Sequence, residues 1–123
     1  MVYADTDFFL ALFKPTDWLK ESAKQLLAQH ADELWTSSST VTELLLICKE
    51  YHLDPLELMV SLFKMVQVKG IDREIAFAAA HYIRNHSLTP FDALHAAFCG
   101  NDVIISSDKV YEKIGLQQIR LGK

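Results

Sequence analysis

The sequence predicts an α/β fold, a three-layer α/β/α sandwich around a central parallel sheet of four or five strands. Three observations carry this. Short apolar runs at 2–5, 35–37 and 103–105 read as buried strands. Longer stretches between them place apolar residues at helical spacing, each opened by a capping residue. Half of the 123 residues are apolar, enough for a core covered on both sides, and the length fits one domain over residues 1–123.

The elements follow in order. Residues 2–5 form the first strand, ending at Asp5. A brief helical piece over 8–13 stops near Pro15. Thr16 or Asp17 caps the next helix, with Leu19, Ala23, Leu26, Leu27 and Leu34 on its inner stripe. Trp35-Thr36-Ser37 is the second strand. Thr40 and Glu43 match a capping box for a buried helix running to Tyr51. Asp54 and Pro55 open another helix as N-cap and first helical residue. Val66 and Val68 stand at strand spacing within 65–70. Asp72 caps a helix whose Ile75, Ala79, Tyr82 and Ile83 point inward. Thr89-Pro90-Phe91-Asp92 opens the helix that Gly100 breaks. Residues 103–105 are a fully apolar strand, 106–113 a turn and short helix, and 116–119 a last strand. Strands alternating with helices imply parallel pairing and right-handed crossovers, which put every strand's C-terminal end on one edge. In such sheets the crevice where strand order reverses is the usual ligand site.

Composition narrows the function. Charged residues make up 23% of the chain, as in an ordinary globular protein. No apolar run is long enough to span a membrane, and no basic leader precedes residue 2. The expected location is the cytoplasm. The net charge of −4 excludes a broad basic surface for nucleic acid, so any such contact is local or bridged by a metal. Cys48 and Cys99 sit in apolar helical segments without metal-ligand spacing and read as buried, reduced thiols. His30, His52, His81 and His86 form no constellation and read as surface or boundary residues.

The carboxylates stand out against this plan. Asp5 ends the first strand, Glu43 lies in the first turn after the second, and Asp108 follows the strand at 103–105. All three belong on the C-terminal edge. Asp92, in the first turn of a helix that follows another helix, is not placed there by topology alone. Singly, each is explained by helix capping, worth about 1 kcal/mol. Two unit charges about 5 Å apart repel by roughly 3 kcal/mol at an effective dielectric near 20. Gathering four therefore calls for a cation, or for protonation of some of them. Hard oxygen donors select Mg²⁺ or Mn²⁺ over zinc.

At these residues the chain resembles the PIN domain, the small α/β nuclease fold that includes VapC-type toxins. Four anchors carry the resemblance: Tyr3-Ala4-Asp5-Thr6-Asp7, Val41-Thr42-Glu43-Leu44, the run from Leu88 to Ala96 around Asp92, and Ile105-Ser106-Ser107-Asp108. It implies that Asp5, Glu43, Asp92 and Asp108 are the metal-binding and catalytic acids of an endoribonuclease using Mg²⁺ or Mn²⁺. It also implies supporting roles for Thr6 and Ser106, a homodimer, and a small antitoxin as partner. Asp7 departs from the family's usual Ser or Asn and is either a fifth acid of the site or a solvent-facing residue. His95, three residues after Asp92 on the same helix face, contacts substrate, supports the site, or packs in the core. Lys14 and Lys109 are candidates for phosphate contacts. Residues 8–13 and 56–63 are apolar segments that offer surface for partners. Two alternatives stand beside this reading. One is a catalytically silent module binding RNA or a partner. The other is a phosphatase of the haloacid-dehalogenase type, from Asp5-x-Asp7 after an apolar strand.

Overall fold

The computed structural model describes residues 1–122. Strands β1 (Val2–Ala4), β2 (Leu34–Ser37), β3 (Gln67–Lys69), β4 (Val103–Ser106) and β5 (Gln118–Arg120) make one sheet in the order β3-β2-β1-β4-β5. Every pairing is parallel, as the alternation of strands and helices predicts. The helices are α1 (Thr6–Phe13), α2 (Lys20–His30), α3 (Ser38–Ile47), α4 (Pro55–Met65), α5 (Arg73–His86), α6 (Pro90–Cys99) and α7 (Val110–Lys113).

The period of two along each strand splits the core between two faces. Val2, Ala4, Leu34 and Ile105 pack with Phe8, Phe9, Ala23, Leu44, Leu58 and Leu62 from α1 to α4. Tyr3, Trp35 and Ile104 meet Ala79, Ala93, Ala96, Phe98 and Tyr111 from α5, α6 and α7 on the other side. Phe8 and Phe9 are wholly buried, each worth about 1.5–3 kcal/mol by burial. The segment around them is therefore core and not partner surface. The outer face of α4 does leave Leu56, Val60 and Phe63 exposed, because its buried residues Leu58 and Leu62 occupy one stripe.

Several helix starts are written locally. Asp54 Oδ1 accepts from Glu57 N at 3.0 Å with Pro55 opening α4, and Asp72 Oδ1 accepts from Ile75 N at 2.8 Å. Thr89 Oγ1 accepts from Asp92 N at 3.4 Å. Other expectations need correction. The capping box at Thr40 and Glu43 does not exist: α3 starts earlier, with Ser37 as N-cap, because Thr40's hydroxyl is drawn into buried bonds with Thr36 and Thr6. Glu43 thus lies in the second turn, α3 stops at Ile47, and Leu45 and Leu46 face outward. Leu34 opens β2 and does not extend the preceding helix. Asp17 accepts from Leu19 N at 2.8 Å one turn ahead of α2, whose N-cap, Leu19, has no side-chain bond. Val66 ends α4, Ile83 is exposed, and β5 begins two residues later than expected.

β1 is followed by β2 on one side and β3 beyond it; the chain then returns to place β4 on the other side of β1. The order reverses between β1 and β4, so the crevice lies at their C-terminal ends. Among the described residues no helix is long and apolar enough to cross a membrane.

Candidate metal centre

Asp5 is the residue after β1. Its backbone N–H still pairs with Ile105 O at 3.0 Å, while its Oδ1 accepts from Thr6 N at 2.7 Å and caps α1. One side chain thereby ends a strand, starts a helix and stands in the crevice. Across the reversal point, the hydroxyl of Ser106 at the end of β4 donates to Asp5 Oδ2 at 2.8 Å. The two carboxylate oxygens are thus held from opposite sides.

Glu43 and His95 close on Asp5 from α3 and α6. His95 Nε2 lies 3.2 Å from Asp5 Oδ1 and in close hydrogen-bond contact with Glu43 Oε1. Thr6 Oγ1 donates to the same Glu43 oxygen at 2.6 Å. Ligand atoms of Asp5, Glu43 and His95 all lie within 4.8 Å of one another, a spacing one cation can bridge. Behind the ring, His95 Nδ1 is 2.6 Å from the Tyr3 hydroxyl, itself 2.7 Å from Ser37 Oγ. His95 is 1% exposed, and both of its ring nitrogens face polar atoms.

Asp92 and Asp108 share the edge but stand outside this tight group. Asp92 sits in the first turn of α6, where Tyr111's hydroxyl donates to it at 3.4 Å. Burial and the charges of Asp108 and Asp5 hold its carboxyl above the ordinary range, against the Thr89 bond and His95. Asp108 accepts from Val110 N at 3.0 Å and is exposed, with its own N–H bonded to Ser106 Oγ at 3.0 Å. The four acids therefore share one crevice edge, with two in the cage and two beside it.

Asp7 does not face solvent. Ser107 N donates to its Oδ2 at 2.8 Å and Ser107 Oγ also bonds it closely, while its Oδ1 is buried without a partner. Burial, then the charge of Asp5, pushes its carboxyl up to about 6 despite the Ser107 bonds. Burial would likewise raise Glu43, but hydrogen bonds from His95 and Thr6, with the charge of His95, hold it below the ordinary range. His95 shows the converse. Burial disfavours its charged form, and Asp5, Glu43 and Asp92 together outweigh that and raise its pKa.

The lysine candidates separate. Lys109 adjoins Asp108 on the edge and is exposed. Lys14 lies at the far end of α1, paired with Asp17 at 3.0 Å and stacked 4.5 Å over Tyr51; it is removed from the crevice because α1 runs away from it. His52, His81 and His86 are exposed and His30 is half-buried. Cys48 and Cys99 are free and buried, and burial together with Asp102 pushes the Cys99 thiol up to about 12. Sequence reasoning missed Tyr3, Thr40 and Ser107 as supports. A tyrosine in an otherwise apolar strand was the available signal, since a buried phenol needs a polar partner.

Among curated proteins none matches the sequence significantly. Solved structures of similar shape include the Mycobacterium tuberculosis VapC20, a sarcin-ricin-loop-cleaving toxin, with a TM-score of 0.83 at 20% identity over 98% of this chain and 99% of that one. A DNA-bound VapBC from Salmonella typhimurium gives 0.75 at 18% identity over 98% and 97%. A toxin–antitoxin complex from Klebsiella pneumoniae gives 0.73 at 21% over 89% and 88%. At these identities the likeness is one of fold. The model of the PIN domain matches residues 2–116, which sets the phosphatase alternative aside. With its parallel sheet and acidic edge, the chain belongs to the PIN-domain family.

Proposed function

We propose that this chain is a divalent-metal-dependent endoribonuclease, the toxin of a VapBC-type pair, with residues 1–123 acting as one domain in the cytoplasm. The observation that carries the reading is the meeting of Asp5 and Glu43 at the strand-order reversal, with Asp92, Asp108 and Asp7 on the same edge. Asp5 and Glu43 would hold the ion, with Asp92 and Asp108 completing the acidic rim. A bound Mg²⁺ or Mn²⁺ supplies Lewis acidity toward a phosphate and a more acidic bound water.

The chain's own residues do the rest. Ser106 fixes one oxygen of Asp5 and Thr6 N the other, so the carboxylate keeps its direction without rotamer search. Thr6 and His95 do the same for Glu43. The chain's acidic balance fits an RNA contact made through the ion at one point and not over a basic face. A small antitoxin with a basic side chain suits the acidic rim, and Leu46, Leu56 and Phe63 offer apolar surface for it or for a homodimer.

The test is cleavage of RNA with Mg²⁺ or Mn²⁺, with EDTA, and with Asp5→Asn, which retains the α1 cap. Cleavage confined to the metal-loaded parent supports the reading; equal activity in all samples ends it, and binding without cleavage would favour a silent RNA-binding module.

A further inference from the structure

We propose that His95 Nε2 is itself a ligand of the divalent ion, so that the site favours Mn²⁺ over Mg²⁺. This rests on the metal-site reading above and adds a nitrogen donor to it. The tight donor group on the edge is not all oxygen: it is Asp5, Glu43 and His95, while Asp92 and Asp108 stand outside it. Neighbouring donors on an octahedral ion with bonds near 2.1 Å stand about 3 Å apart. Nε2 lies 3.2 Å from Asp5 Oδ1 and in close contact with Glu43 Oε1, and all three ligand atoms lie within 4.8 Å of one another, so one ion can reach all three once Nε2 and Oε1 part slightly.

The far side of the ring has the support that ligating imidazoles need. Nδ1 is 2.6 Å from the Tyr3 hydroxyl, which is 2.7 Å from Ser37 Oγ. With Nδ1–H donating to Tyr3, and Tyr3 donating to Ser37, Nε2 is the ring nitrogen that faces the two carboxylates and becomes a donor to a cation once its proton leaves. Tyr3 is fully buried, and burial, above the smaller effects of its neighbours, keeps its hydroxyl protonated. A cation entering between the carboxylates takes the place of the proton that Nε2 shares with Glu43. An imidazole among carboxylates favours first-row transition ions over Mg²⁺, which takes oxygen donors and keeps its waters.

The experiment is pulsed electron paramagnetic resonance on the full chain loaded with Mn²⁺, without RNA, alongside competition of Mg²⁺ against bound Mn²⁺. The expected spectrum carries a ¹⁴N coupling of directly bound imidazole. In His95→Gln that coupling disappears and the Mn²⁺ preference over Mg²⁺ collapses. Tyr3→Phe keeps the coupling while weakening Mn²⁺ binding about tenfold or more. Bound Mn²⁺ with no ¹⁴N coupling in the parent chain overturns the role of His95 and leaves the carboxylate site standing. Failure to bind Mn²⁺ at all overturns both. The parent spectrum decides even where His95→Gln does not fold.

Discussion

Asp7→Asn tests the electrostatics of the crevice through folding alone. Asp7 is held by Ser107 N at 2.8 Å, yet its other oxygen is buried and unpartnered. Burial and the charge of Asp5 raise its carboxyl from 3.8 to about 6. A carboxyl raised in the folded state favours the protonated form. Its favourable contribution is complete below about pH 4 and is lost as the pH climbs through about 6. A shift of that size corresponds to roughly 3 kcal/mol over the full range, of which roughly 2 kcal/mol falls between pH 4 and pH 7. Asparagine keeps a carbonyl for Ser107 and removes the charge. Its amide NH₂ adds an offset that does not vary with pH, so the readout is the change in the stability difference and not its absolute value. Urea unfolding of both chains at pH 4, 5, 6 and 7, with EDTA throughout, measures it. The variant should gain on the parent by about 2 kcal/mol across that span. A difference that stays flat with pH would refute the assignment of charge strain to Asp7.

Mn²⁺ at millimolar concentration should raise the melting temperature of the parent at pH 7 and leave Asp5→Asn unmoved, since an ion that binds only the folded chain stabilises it by about 2.7 kcal/mol at a hundredfold excess over Kd; thermal scans with and without EDTA check this. Phe9→Ala, at a wholly buried site between α1 and the sheet, should cost about 3–5 kcal/mol, read as a lowered urea midpoint. Asp54→Ala removes the bond to Glu57 N and should cost about 1 kcal/mol with no change in metal affinity by calorimetry.

Much of the fold was legible because its signals are local. Asp54-Pro55, Asp72 and Thr89-Pro90 cap helices through bonds spanning three residues, so nearby sequence suffices to place them. The apolar run at 103–105 could only be buried on both faces. Where the reading failed, distant groups competed for local ones. Thr40 offered itself as a cap for its own helix, but Thr36 and Thr6 claimed its hydroxyl, and the helix began at Ser37 instead. Lys14 was near Asp5 in the chain, yet the axis of α1 carried it away.

That Asp5 and Asp108 follow strands is written in the order of residues, and the rule for parallel sheets then sets both on one edge. Tertiary structure decided what stands between them. Glu43 and His95 are 52 positions apart, and nothing local dictates that helices α3 and α6, from opposite faces of the sheet, bring them into contact beside Asp5. Tyr3, packed beneath His95, holds the imidazole there, because a buried phenol and a buried imidazole each need the other's hydrogen bond. That mutual need places a ring nitrogen among the carboxylate oxygens of Asp5 and Glu43.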